Sequence, residues 1–239
     1  MKPATFEAQH KEVISKLKKL SSKATRDGMA RYGLPSENAL GVPVGKMQKL
    51  AKEIGKNHEL ALVLWQTGIY EARMLASFLD EPDKVTAQQM DRWCRDFDNW
   101  GIVDTVCFKL FDQTPHAWKK VQQWSRRREE FQKRAAFALL ASLSVHDKKA
   151  TDDHFLQCLP LIEAAATDDR NFVRKGVSWA LRTCGRRNRE LNVACVELAE
   201  RLATSSHATA RWLGKEALRE FGGRVVRQKL SKTKAKEKS

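Results

Sequence analysis

Strand signals are almost missing from this 239-residue chain. No segment sustains an apolar–polar alternation and no turn dipeptide joins two β-branched runs, which excludes a hairpin-built or sandwich fold. Long apolar runs are missing too. None approaches the ~20 residues that span a bilayer, so no membrane partner is expected. The opening residues, Met1-Lys2-Pro3-Ala4-Thr5-Phe6-Glu7, lack the apolar core of a signal peptide, and the expected location is cytoplasmic. Cysteine is sparse and odd in number: Cys94, Cys107, Cys158, Cys184 and Cys195, with no Cys-x-x-Cys pair. That argues against a disulfide framework and a zinc site. Each cysteine sits among apolar neighbours and reads as a buried free thiol. The six histidines show no ligand spacing, so no metal and no organic cofactor is expected. Gly41-x-x-x-Gly45-Lys46 is one residue short of a phosphate-binding loop and lacks the following Ser or Thr.

Acidic residues are also in deficit, 29 against 44 Lys plus Arg. The stretch 224–239 carries a net +6 and reads as a disordered basic tail, which leaves +9 of the total +15 on the body. A basic folded body attracts phosphate backbones, and nucleic acid is the partner this balance favours.

Helical periodicity recurs along the whole body. Apolar stripes run through Phe6, Val13, Ile14 and Leu17; Met47, Leu50, Ala51 and Ile54; Met74, Leu75, Phe78 and Leu79; Met90, Trp93, Cys94 and Phe97; Trp100, Val103, Cys107, Phe108 and Phe111; Ala135, Leu139 and Leu143; Phe155, Leu159 and Ile162; Val173, Val177, Ala180 and Leu181; and Val193, Val196, Leu198 and Leu202. Breaks are expected at Gly33-Leu34-Pro35-Ser36, Gly41-Val42-Pro43, Glu81-Pro82-Asp83, Thr167-Asp168-Asp169, Cys184-Gly185 and Gly222-Gly223, with Thr114-Pro115 starting a helix. The segment from Arg174 to Arg182 aligns with that from Arg211 to Arg219, and Phe131-Gln132-Lys133-Arg134 with Phe172-Val173-Arg174-Lys175. Offsets of about 40 residues with two helices per unit describe a HEAT-like repeat. The expected fold is therefore an all-α, HEAT-like helical-repeat solenoid over residues 1–223. Its second helices would carry Lys133, Arg134, Arg174, Lys175 and Arg211 into a basic concave groove.

Trp100 and Asp104 lie four residues apart, which puts an indole and a carboxylate on one helix face, one turn apart. Such a pair suits cleavage of a glycosidic bond, whose transition state gathers positive charge on the sugar. A carboxylate aimed at that charge lowers the barrier. An alkylated purine is already cationic and leaves neutral, so one Asp and a positioned water suffice. The plainer readings are a core tryptophan and a surface or Arg-paired aspartate.

Several segments resemble the AlkD-like DNA alkylation repair glycosylases, a family of HEAT-like repeats. They run from about Ala30 to Gly222: Gly41-Val42-Pro43 through Leu50-Ala51-Lys52; Leu64-Trp65 with Glu71-Ala72-Arg73-Met74-Leu75-Ala76; Asn99-Trp100 with Val103-Asp104; Lys133-Arg134-Ala135-Ala136; and Lys175 with Trp179-Ala180-Leu181-Arg182. The resemblance implies that Asp104 stabilises the oxocarbenium and orients water. It implies that Trp100 and Trp179 pack against the sugar of the damaged nucleotide, that Arg134 holds the neighbouring phosphate and that Arg182 assists at the backbone. It also implies a substrate of double-stranded DNA containing N3-alkyladenine or N7-alkylguanine, excised without drawing the base into a pocket, and a monomer is the simplest expectation for such an array. Gly101 follows the Trp where the family often has Asp, and Arg126-Arg127-Arg128 offers rival phosphate contacts. A non-catalytic solenoid that binds distorted or branched DNA, and a HEAT-type protein scaffold, are the alternative readings of the same charge and fold.

Overall fold

A computed structural model of the chain describes residues 3–34, 36–226 and 228. Pro35 of the first expected loop, and Arg227 and 229–239 of the expected basic tail, lie outside the described residues. Among the described residues every regular element is helical. The chain divides into two compact units, Met1–His116 and Ala117–Ser239.

The first unit contains α1 (Pro3–Lys19), α2 (Lys23–Met29), α3 (Val44–Ile54), α4 (His58–Gln66), α5 (Tyr70–Leu79), α6 (Ala87–Arg95) and α7 (Trp100–Lys109), with short 3-10 turns at Ala30–Tyr32, Pro82–Lys84 and Phe111–Gln113. Side-chain oxygens set several starts by accepting an orphan amide of the first turn: Ser22 from Thr25, Asn57 from Leu60, Thr86 from Gln89 and Asn99 from Ile102. Helix α5 packs against α3, α4 and α7 and buries Ala72, Met74, Leu75, Ala76 and Leu79. Trp65 and Trp93 stack with ring centroids 3.9 Å apart, and the Trp65 indole donates to Asp96 Oδ2 at 2.7 Å. These two tryptophans are packing residues.

The second unit contains α8 (Ala117–Trp124), α9 (Glu130–His146), α10 (Asp152–Leu156), α11 (Leu159–Ala165), α12 (Asn171–Gly185), α13 (Arg189–Ala203) and α14 (Ala208–Phe221). Residues Arg134 through Ser144 of α9 are all buried. A helix so apolar around its circumference belongs at the centre of its unit, and α9 packs on both α8 and α12. The repeat offset reappears as physical contact. Phe131 and Phe172 meet at 5.2 Å, Ser178 donates to Glu216 at 2.7 Å and Arg182 to Glu220 at 2.6 Å. Equivalent or adjacent positions of the repeated helices thus pack on one another, as stacked repeats require.

Three local expectations need correction. The helix after Thr114-Pro115 begins at Ala117, because Thr114 Oγ1 donates to Phe111 O at 2.8 Å and closes the preceding 3-10 turn. The stripe Phe155, Leu159 and Ile162 spans two helices, with Pro160 in the first turn of the second. Proline has no amide to continue the first. Val193 is 52% exposed, and the buried face of α13 runs instead through Leu191, Cys195, Leu198 and Leu202. The five cysteines are buried and unbridged. Burial pushes the Cys158 thiol up to about 11 and the Cys195 thiol to about 12, which keeps both protonated and inert.

Candidate active site and nucleic-acid contacts

The residues of interest in the first unit gather at the start of α7. Asn99 is buried, and its side-chain oxygen accepts from the Ile102 amide at 2.9 Å, while its amide group donates to Asp98 Oδ1 at 2.6 Å. That cap fixes where the helix begins, and so which way Trp100 and Asp104 point. Both are half-buried on α7, one turn apart. The Trp100 indole N–H donates to Tyr32 O at 2.8 Å, which pins the ring to the 3-10 turn after α2.

Tyr70 was not singled out by the sequence, yet it shares this corner. A Cβ on Gly101 would lie 2.7 Å from the Tyr70 hydroxyl, 2.9 Å from Leu34 Cδ2 and 3.2 Å from Asn99 Oδ1. A side chain at position 101 would require the Tyr70 hydroxyl and the Leu34 methyl to move. Burial, then the negative charges of Glu71, Asp104 and Asp98, push the Tyr70 phenol up to about 12. At neutral pH the phenol keeps its proton beside these acids. The one signal in the sequence was the glycine itself, which in a helical pattern can mark a close approach.

Glu71, part of the Glu-x-Arg segment, is a structural acid. Its side chain is buried and accepts from three consecutive backbone amides, Leu40 at 2.8 Å, Gly41 at 2.7 Å and Val42 at 3.1 Å. The loop before α3 is thereby held against α5. Gly41 has φ +78, and a Cβ there would meet Ser22 O at 2.3 Å, so this turn requires glycine twice over. A cavity of about 320 Å³ lined by Met29, Tyr32, Leu34, Val42, Met47 and Tyr70 adjoins the loop.

In the second unit most of the cations expected at a phosphate groove already hold protein partners. Lys133 pairs with Asp168 at 3.0 Å. Arg170 binds the same carboxylate through Nε at 2.9 Å and Nη2 at 2.6 Å. Arg170 first, and Lys133 with it, hold the Asp168 carboxyl down at about 2. Arg134 is buried and donates to Phe172 O at 2.8 Å. Arg182 donates to Glu220 Oε2 at 2.6 Å and to Ser178 O at 3.2 Å. Arg211 binds Ser205 O at 2.8 Å ahead of α14. The Arg174 guanidinium lies 5.3 Å from the centre of the Trp212 ring. Lys175 is exposed on α12, and Trp179 on the same helix is half-buried. Sequence alone did not show this pairing, because the acids lie 35 to 38 residues away.

Among the described residues no group of three or more His, Cys, Asp or Glu is placed to hold a metal. No helix among them is long and apolar enough to cross a membrane.

Comparison with known proteins agrees with this arrangement of helices. A solved structure described as belonging to a new family of proteins related to the HEAT-like repeat DNA glycosylases, with affinity for branched DNA structures, superposes with a TM-score of 0.72. It shares 21% identity and covers 87% of this chain and 94% of its own. A designed armadillo repeat protein in complex with the peptide (KR)4 matches weakly, at a TM-score of 0.39 and 13% identity over 79% and 80% of the two chains. No curated protein matches significantly. The first likeness shows the fold to be all-α and HEAT-like. Residues 13–221 match the family described as DNA alkylation repair enzyme, and over that span, nearly the whole helical body, the chain belongs to this family.

Proposed function

We propose that the protein is a monofunctional DNA N-glycosylase that releases cationic N3-alkyladenine and N7-alkylguanine from double-stranded DNA and leaves an abasic site. Asp104 faces the positive charge that develops on the deoxyribose and orients the water that attacks it. The alkylated base departs neutral, so no second carboxyl group need protonate it. Trp100 supplies an apolar plate for the sugar, and Trp179 is assigned the same role by family resemblance. Arg134 and Arg182 are assigned to the DNA backbone by family resemblance, and each also bonds within the protein, to Phe172 O and Glu220. Lys133, Arg174, Lys175 and Arg211 contribute further positive charge.

The observation that carries this reading is the start of α7. Its cap at Asn99 and the Trp100–Tyr32 bond hold an indole and a carboxylate on one face, beside a protonated phenol. A preorganised carboxylate acts on developing charge without reorganising during the reaction.

The test is chromatographic measurement of free base released from methylated duplex, with binding followed in parallel. Asp104→Asn is expected to retain duplex binding and to lose release by at least ~100-fold, the scale of removing one preorganised electrostatic group. Equal release by variant and wild type would remove Asp104 from the mechanism. Binding without release by the wild type would favour the rival reading, a non-catalytic protein that binds distorted or branched DNA, the property described for the structural neighbour.

A further inference from the structure

Two grooves flank α3, and lysines line both. The first, about 440 Å³, is lined by Lys16, Lys19, Lys46 and Lys49 with Leu50 and Glu53. The second, about 380 Å³, is lined by Lys52, Lys56 and Lys109 with Gln48, Ala51 and Phe78. Seven lysines thus face one acid across the two linings. Lys46, Lys49 and Lys52 recur every three residues over about 9 Å of helix axis. Each step falls 60° short of a full turn, so the charges wind over the ridge of α3 from one groove to the other. Met47 and Leu50 turn inward on the same helix.

Some exposed cations elsewhere hold acids: Lys23 with Asp27, Lys84 with Glu81, Arg201 with Glu163. Here Lys16 is tied to Glu12 at 2.8 Å, and Lys56 donates to Phe78 O at 3.1 Å and Asp80 O at 2.7 Å. The exposed amino groups of Lys19, Lys46, Lys49, Lys52 and Lys109 enter none of the ion pairs formed among the described residues. Concave walls bearing one sign of charge concentrate the field between them. The large apolar side chain exposed on α3 is Val44, 48% exposed at its first residue, and α3 bears no aromatic residue. A helix that enters a lipid interface needs a broad apolar face opposite its lysines. Phosphates along a nucleic-acid strand recur about every 3.4 Å of axis, so 9 Å of lysine ridge matches two to three of them.

We infer that the α3 ridge and its two grooves form a second seat for a nucleic-acid phosphate backbone, built from residues that take no part in base release. It extends the protein's hold on DNA or engages a second arm of the same molecule.

The experiment measures affinity for unmodified duplex as a function of salt, so its outcome does not depend on glycosylase activity. Lys46→Glu, Lys49→Glu and Lys52→Glu are combined in the full chain, with a second variant carrying Gln at the same positions. All three side chains are exposed, and thermal melting verifies the fold. The Gln variant is expected to lower the slope of log affinity against log salt by about 2 to 3, close to one per phosphate contact. The Glu variant is expected to weaken binding further at low salt, with base release at saturating DNA within about twofold of wild type. An unchanged slope in the Gln variant overturns the inference. So does a wild type that binds vesicles containing phosphatidylserine and loses that binding, but not duplex binding, on substitution.

Discussion

The space beside Trp100 admits a sharp test, because Gly101→Ala adds one methyl group that the ends of two packed side chains must move to admit. The new carbon would sit 2.7 Å from the Tyr70 hydroxyl and 2.9 Å from Leu34 Cδ2, both closer than carbon contacts allow, and 3.2 Å from the capping oxygen of Asn99. In an open helix the change would stabilise by up to ~1 kcal/mol, since alanine is the better helix former. Overpacking a filled site costs about 1–3 kcal/mol. Displacing Asn99 from the Ile102 amide puts a further ~1 kcal/mol of capping at risk. The expected net effect is a destabilisation of about 1–3 kcal/mol, read as a lower midpoint in urea unfolding. Tyr70→Phe removes the nearest contact, so the double variant is expected to recover part of the loss. The coupling between the two sites should exceed ~0.5 kcal/mol in a double-mutant cycle. Because the same corner orients Trp100 and Asp104, base release by Gly101→Ala should fall while duplex binding persists. A melting temperature at or above wild type, or strict additivity with Tyr70→Phe, would refute the claim that a glycine is needed there to seat the phenol.

Two further outcomes follow from charges that the fold has already committed. Glu71→Gln replaces a carboxylate that accepts from three amides with a group offering one oxygen, and is expected to cost about 2 kcal/mol in urea unfolding, with faster hydrogen exchange at Leu40, Gly41 and Val42. An unaltered midpoint would show that the loop before α3 is held by something else. Asp168 has a folded pKa of about 2, depressed by Arg170 and Lys133, below the ordinary carboxylate value. Its contribution is therefore complete above pH ~4 and lost as pH falls toward 2. Solvent screening limits it to about 1 kcal/mol. Asp168→Asn should lower the melting temperature at pH 7 and converge with wild type near pH 2; a constant difference across that range would contradict the pairing.

The helical class, the ~40-residue repeat and the phase of α7 follow from the chain alone. They depend on near neighbours: apolar residues three and four apart, caps such as Asn99 at a helix start, and glycines after a last turn. The pairing of Trp100 with Asp104 was visible for the same reason, since a helix fixes what lies one turn away. Tertiary structure decided the rest, because its causes are distant in sequence. Tyr70 reaches α7 from 31 positions upstream and explains Gly101 only once α5 is packed against α7. The cations expected to line an open groove turned out to be largely engaged: Arg134 by a carbonyl, Lys133 and Arg182 by carboxylates, each at least 35 residues away. The α3 lysines, not assigned to phosphate from the sequence, kept their charge open to solvent. A count of basic residues measures the total field; only packing determines which charges are spent inside the protein and which remain to meet a phosphate.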